Sequence, residues 1–286
     1  MRRGMYVAAA ACLFLFVSAA SWAGVTVPRA AVRIAECANS PASQLLLLRL
    51  AGLFDELDIG PVTWQTLKGD SADDIEESSK ADVAGVFDIV FTGNPDLVSK
   101  LEQKGLLRAS YPVFREELIL AGPAASARQF SGLQGVEAMR KIFSEERVFF
   151  SLFKNKWSAD SEAELWRKSR VEAPGTNRKY VESSKGDVEA LVQAGDEGGF
   201  ILLGEASFAQ YLDSQGGDPM LVKISGTGIF KETRMCLISD AGFRKERTAS
   251  ADKYAERLLS PEGGDVVESF EMGGMNPFKR GSLGDK

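Results

Sequence analysis

The stretch that decides the fold is VFDIVFTGNPDLVSKLEQKGLL, from Val86 to Leu107. Its largely apolar run from Phe87 to Phe91 has the composition of a buried strand, and the apolar residues that follow recur at the spacing of one helix face. Pro95 suits the first turn of such a helix, and Gly105 suits its C-terminal end. The stretch therefore predicts a strand that passes through a short polar turn into a helix.

The same order of strand and helix is found along most of the chain. The segment before the quoted stretch predicts a strand at Val32–Cys37, a helix at Ser43–Leu57 and a strand at Val62–Thr66. The later predicted elements are strands at 118–121, 148–153, 199–203 and 234–239 and helices at 133–143, 161–169, 187–194 and 249–259, with a final helix before the carboxyl end. Alternation of this kind indicates an α/β fold with a largely parallel sheet.

The first 23 residues have the pattern of a secretory signal peptide. Arg2 and Arg3 precede an apolar run from Met5 to Ala20, and the small-residue site Ser21–Ala23 follows. A membrane span is the competing interpretation, but the run is short for a bilayer and no basic cluster follows it. We therefore expect export to the periplasm and a mature chain of 263 residues that begins at Gly24.

Composition excludes several classes of function. Loss of the two leader arginines leaves 32 basic and 40 acidic side chains, a net charge of −8 that disfavours nucleic acid and anionic membranes as partners. The chain has no histidine, which excludes Ser-His-Asp and Cys-His catalysis and His-containing metal sites. We expect no enzyme, no cofactor and no metal site. Cys37 and Cys236 remain after cleavage, and both a disulfide and two free thiols stay open.

Three stretches together resemble the periplasmic tungstate- and molybdate-binding proteins of ABC importers, a branch of the type II solute-binding proteins. They are FDIVFTGNPDLVSKLEQKGLLRASYPVFREELILAGP from Phe87, EAELWRKS from Glu162 and YAERLLSPEGGDVVESFEMGGMNPF from Tyr254. The last pattern is widespread among solute-binding proteins, so it indicates the superfamily better than the ligand.

The resemblance implies a type II periplasmic-binding-protein fold with two α/β lobes, each a mostly parallel sheet flanked by helices. Lobe one would contain residues 24–113 and 229–286, and lobe two residues 114–228. The chain would cross between them twice, first near Tyr111–Arg115, and we expect a separate sheet in each lobe. The implied function is capture of a small polar or anionic ligand, oxyanions included, for an ABC permease in the inner membrane. The alternative is a non-transport binding module, a sensor partner or assembly factor, with the same fold and a degenerate site.

Ligand contacts are expected where strands end and helices start. Unpaired backbone N–H groups and the positive end of the helix dipole meet at such points, which bind oxyanions. The candidate ligand residues are Asn39, Ser40, Ser43, Thr92, Gly93, Asn94, Lys154, Ser158, Ser183 and Ser184. The plain alternative is that residues such as Asn39, Ser40, Asn94 and Asp187 only cap helices, as these residue types commonly do.

Two departures from the family pattern argue against tungstate itself. Where the relatives carry a hydroxyl-rich turn, this chain has Glu36-Cys37-Ala38-Asn39, and where they carry an arginine it has Leu152. A carboxylate beside a bound oxyanion repels it unless the carboxyl group is protonated or turned away. The resemblance thus predicts the fold together with a changed specificity.

Overall fold

A computed structural model describes residues 32–37, 41–52, 62–67, 87–153, 156–171, 179–216, 218–238 and 245–281. The predicted signal peptide and three candidate ligand residues, Asn39, Ser40 and Lys154, lie outside these ranges. Within them, no helix combines the length and the apolar character needed to cross a bilayer.

The described strands form one hydrogen-bonded sheet. They are β1 (Val32–Cys37), β2 (Val62–Leu67), β3 (Ile89–Thr92), β4 (Leu107–Pro123), β5 (Phe149–Ser151), β6 (Tyr180–Glu182), β7 (Phe200–Gly204), β8 (Leu221–Ile238) and β9 (Phe278–Arg280). Their spatial order is β2-β1-β3-β8-β4-β7-β5-β6, and β9 pairs with β4.

Helices connect the strands and cover the sheet. They are α1 (Pro41–Ala51), α2 (Pro95–Gln103), α3 (Ala127–Phe130), α4 (Gly135–Ser144), α5 (Lys156–Ser169), α6 (Asp187–Asp196), α7 (Glu205–Gln215), α8 (Lys245–Leu259) and α9 (Pro261–Glu268), with a 3₁₀ turn at Ala124–Ser126. Each of β5, β6 and β7 is followed along the chain by the helix of the same number. The sequence predicted β5, β7, α5 and α6 of this series, but not β6 or α7.

The two ends of the sheet are parallel and its centre is antiparallel. β1 pairs in parallel with β2 and β3, and β5 pairs in parallel with β6 and β7. The buried apolar side chains form four clusters. Apart from Ala206 and Met275, two clusters lie within residues 32–114 and 235–278, and two within residues 118–229. The molecule therefore has two α/β halves, while the lobe bounds 24–113 plus 229–286 and 114–228 stay a prediction.

The long strands at the centre differ from the expectation of two separate sheets. β4 has 17 residues and β8 has 18, where the sequence predicted only short strands at 118–121 and 234–239. β4 and β8 are the two segments in which the chain passes from one half to the other, and they pair with each other along almost their full length. Hydrogen bonding is consequently continuous from one half of the molecule to the other.

The helix starts confirm one predicted cap and correct another. The side chain of Asn94 caps α2 by accepting a hydrogen bond from the backbone N–H of Asp96 at 3.0 Å, as the capping alternative expected. Gly186, and not Asp187, is the N-cap residue of α6, because the chain becomes helical at Asp187 itself. Helix α7 was not predicted, since it begins at Glu205 with no linker after β7.

Both described cysteines are buried, and they are not joined in a disulfide. Cys37 lies on β1 and Cys236 on β8, and β3 runs between these strands. Two strand spacings amount to about 9.5 Å, whereas the Cα atoms of a disulfide lie within about 7 Å of each other. The sheet order thus decides the question that the sequence left open.

Glu162 joins three elements of the second half. Its Oε1 accepts hydrogen bonds from Trp166 Nε1 at 3.0 Å and from the Tyr180 hydroxyl at 2.7 Å, and Ser151 donates a further one. Burial raises the pKa of this carboxyl group, while these hydrogen bonds lower it. The first glutamate and the tryptophan of the stretch EAELWRKS, which carries part of the resemblance, therefore have a structural role here.

We predict that Glu162→Ala lowers the free energy of unfolding by about 1–3 kcal/mol, because it leaves donors of Trp166 and Tyr180 without their acceptor. Urea denaturation followed by far-UV circular dichroism measures the effect. Glu164→Ala on the same helix is the control, since Glu164 is exposed and its ion pair with Lys168, across 2.6 Å, is a surface contact that contributes little to stability. Equal losses in the two variants would contradict the assignment.

Candidate functional site

Several helix starts lie at one edge of each half of the sheet. The parallel strands β6, β5 and β7 are neighbours, so their carboxyl ends share an edge, and α6, α5 and α7 begin there. In the other half, α1 follows β1 and α2 follows β3. Crevices at the carboxyl ends of such strands are where α/β proteins bind ligands. The candidate site is therefore built from the starts of these helices.

The structure places three candidate serines at the edge in the second half. Ser158, in the first turn of α5, and Ser183, just after β6, are buried, whereas Ser184 is exposed. The backbone N–H of Ser183 donates to the carbonyl oxygen of Ser151 at 2.9 Å, and its Oγ accepts from the backbone N–H of Lys185 at 3.3 Å. Ser158 and Ser183 thus lie at neighbouring helix starts, with Ser183 already used in its own turn.

Leu152, which stands at the arginine position of the resemblance, belongs to the core. Its side chain is 2% exposed and packs in an apolar cluster with Phe150 and Leu191. It consequently does not supply the cleft with a polar group.

Glu116 is a residue of this edge that the sequence analysis missed. It lies in the middle of β4, is buried, and its Oε2 accepts a hydrogen bond from the backbone N–H of Ala206 at 3.3 Å. Gly204, the N-cap residue of α7, permits this approach, because a Cβ atom there would lie 2.6 Å from Glu116 Oε2. A carboxyl group of the protein therefore already occupies the start of α7.

The groups around Glu116 have opposing effects on its charge. Burial raises the pKa of Glu116, Lys231 and the Ala206 N–H lower it, and Asp187 and Glu205 raise it again. Lys231 is the cross-strand partner of Glu116 on β8. An oppositely charged neighbour within about 4–6 Å favours the ionised form, and like charges disfavour it.

Three further contacts between side chains are described at this edge. Ser207 Oγ donates to Asp187 Oδ2 at 2.9 Å, joining the first turns of α6 and α7, and Lys223 Nζ lies 2.6 Å from Glu205 Oε1. Lys231 Nζ lies 5.5 Å from the ring centroid of Trp157. Among the side chains described at this edge, the three carboxyl groups of Glu116, Asp187 and Glu205 outnumber the two amines of Lys223 and Lys231, and such a balance gives little attraction for a multiply charged anion.

In the first half, two candidates are occupied by local hydrogen bonds. Thr92 is fully buried and its Oγ1 accepts from the backbone N–H of Asn94 at 3.0 Å; Gly93 lies between them. Asn94 in turn caps α2. Ser43 is buried near the start of α1. For Thr92 and Asn94 the geometry thus favours the capping interpretation, and their contact with a ligand stays a prediction.

Glu36 lies where β1 approaches the start of α1. It is 5% exposed, and the side chain of Gln44 on α1 donates a hydrogen bond to its carboxyl group. Oε1 has no hydrogen-bond partner among the described residues. Burial raises the pKa of Glu36 to about 7, and the Gln44 hydrogen bond lowers it. Glu36 is accordingly a buried carboxyl group that titrates near neutrality.

Metal coordination finds no support in the part of the chain that the structure describes. No group of three or more cysteine, aspartate and glutamate side chains is arranged there to hold a metal ion.

Comparison with known proteins gives structural matches only. No protein-family model and no curated protein matches the chain. The tungstate-binding protein TupA of Desulfovibrio alaskensis G20 superposes with a TM-score of 0.72 at 19% identity, over 87% of this chain and 98% of that one. A tungstate ABC transporter protein of Geobacter sulfurreducens gives 0.64 at 18%, over 84% and 98%. Iron-bound HitA of Pseudomonas aeruginosa gives 0.56 at 12%, over 90% of each chain.

These matches confirm the predicted fold, the two-lobed α/β architecture of periplasmic binding proteins. Because the sequence identities are below 20%, these matches support the fold and not a particular ligand. Two of these proteins are described as tungstate proteins and the third as iron-bound. The architecture is therefore compatible with anionic and with cationic ligands. The ligand contacts of the present chain must be inferred from its own residues.

We predict that Glu36 makes stability depend on pH. Its folded pKa of about 7 exceeds the ordinary value of about 4.3, so the folded state binds more protons between these values. The stability that protonation of Glu36 contributes is fully present below about pH 4 and is lost as pH rises through about 7. The free energy of unfolding of the wild type should therefore fall relative to that of Glu36→Gln between about pH 5 and about pH 8.

Urea denaturation of both proteins at the two pH values measures this difference. Glu102→Gln, at an exposed position of α2, controls for loss of a carboxylate and should run parallel to the wild type. A constant difference between wild type and Glu36→Gln across this range would show that the group does not titrate there.

Proposed function

We propose that this protein is a periplasmic solute-binding protein that captures a small polar or anionic ligand between two lobes and delivers it to an ABC permease in the inner membrane. Residues 1–23 would direct export and be removed. Lobe one would comprise residues 24–113 and 229–286, and lobe two residues 114–228.

The observation that carries this proposal is the arrangement of helix starts. Two α/β halves each present them at the carboxyl edge of parallel strands, and among the described strands only the pair β4–β8 runs through both. Such a pair can act as a hinge, because it connects the two halves while each keeps its own packed core. A ligand that contacts both halves then favours the closed arrangement. The matched proteins support the same conclusion, since two of them are tungstate-binding or tungstate-transport proteins.

We predict that one class of small solute both stabilises and closes the mature protein. A panel of oxyanions, amino acids and organic acids is screened by thermal denaturation, and small-angle X-ray scattering follows the radius of gyration. A ligand at about 100 times its Kd adds about 2.7 kcal/mol, which raises the Tm by roughly 5 °C or more in a chain of this size. A panel without any stabilising solute would count against solute capture and favour a non-transport module.

We further predict that the turn before α1 contacts this ligand. Ser40→Ala should weaken binding by about 0.5–1.5 kcal/mol, the contribution of a neutral hydrogen bond, with a larger loss if the ligand is charged. Isothermal titration calorimetry measures affinity, and a separate melt reports any loss of helix capping. Ser99→Ala, at an exposed position of α2, should leave affinity unchanged; an equal affinity in Ser40→Ala would remove this turn from the site.

A further inference from the structure

Glu36 is a carboxyl group placed among apolar side chains. It is the fifth residue of β1, so it projects to the same face as Val32 and Ile34, which are both fully buried against α1. Its neighbours across the sheet are Thr66 on β2 and Phe91 on β3. Apolar surroundings of this kind provide little solvation for a carboxylate.

The hydrogen bonds of Glu36 leave one acceptor open. Gln44 donates to the carboxyl group from the first turns of α1, so the group lies at the start of this helix. Oε1 is inaccessible to solvent and accepts no hydrogen bond from any described residue, nor does any described lysine or arginine form an ion pair with it. Buried acceptors in folded proteins are almost always satisfied, so this oxygen is an acceptor to which a donor from outside the described residues can be assigned.

We propose that Oε1 of Glu36 accepts a hydrogen bond from the ligand, so that the protein selects a solute carrying an O–H or N–H donor and rejects oxyanions that carry none. This inference rests on the proposed function and adds the chemical class of the ligand. A donor group satisfies the buried oxygen, whereas a fully ionised oxyanion brings only further acceptors and like charge. Tungstate and sulfate are anions of the rejected kind.

The second half of the site has the same preference. The backbone N–H of Ala206, which an oxyanion would use at the start of α7, is already bonded to Glu116 Oε2. An incoming anion would therefore meet a carboxyl group at this helix start, where an unoccupied N-terminus would attract it. Lys231 offsets part of that charge and leaves a site suited to hydrogen-bonding groups.

Sulfate and hydrogen phosphate provide a matched pair of probes. At about pH 8 both are tetrahedral dianions of similar size, and they differ in one O–H group. Tungstate is a second probe without a donor, and glycine presents its donor as an ammonium group. Titration calorimetry with these four probes is performed on the mature wild type, on Glu36→Gln and on Glu164→Gln, which alters an exposed carboxylate of α5.

We expect hydrogen phosphate or glycine to bind the wild type at least ten times more tightly than sulfate and tungstate. Glu36→Gln should reduce this ratio at least tenfold, because the amide offers a weaker acceptor without charge and a donor to fully ionised anions, and Glu164→Gln should keep it. Whichever donor probe binds identifies the donor as a hydroxyl or an ammonium group.

Tight binding of sulfate or tungstate to the wild type would overturn the inference and leave solute capture intact, as would a ratio that survives in Glu36→Gln. The ratio in the wild type is decisive even if the variant fails to fold. If none of the four probes binds, the inference falls; if the wider solute panel also contains no ligand, the proposed function falls with it.

Discussion

The antiparallel pair of β4 and β8 is the constraint on which the rest of the structure depends. At about 3.3 Å per residue, strands of 17 and 18 residues extend over roughly 55–60 Å, far beyond the usual strand of five or six residues. Four register shifts interrupt the pairing, and one of them lies between Pro112 and Phe114, at a residue that cannot donate a ladder hydrogen bond. These irregularities allow the pair to twist as it passes from one half to the other.

The same pair explains which parts of the fold could be predicted from the sequence. Short, largely buried strands such as Val32–Cys37 and Ile89–Thr92 are mostly apolar, and they were recognised from that composition. The first part of β8, LVKISGTGIFKETR, mixes apolar and polar residues with two glycines, and many of its side chains are partly or fully exposed. Its strand structure comes from pairing with β4, a partner about 110 positions away, and no local pattern records that pairing.

The candidate site was predictable to the extent that it is local. Asn94 caps the helix next to it, so a polar residue ahead of Pro95 was enough to identify that turn. Glu116 and Lys231 become neighbours only through the register of two long strands, and Ala206 reaches Glu116 because α7 starts directly after β7. In the sequence, Glu116 is one of two adjacent glutamates on a strand, and nothing there distinguishes the buried one from its more exposed neighbour Glu117.

The electrostatics of the site follow from a balance between helix starts and carboxyl groups. Each helix start contributes unpaired N–H donors and roughly half a positive charge, which favours anions in a fold of this kind. In this chain, Glu116 accepts a hydrogen bond from the backbone N–H of Ala206 at one such start, and Glu36 lies beside another. These carboxyl groups offset the attraction that the helix starts alone would exert on an anion. The candidate site thus combines an architecture shared with the matched tungstate-binding protein with carboxyl groups at two of its helix starts.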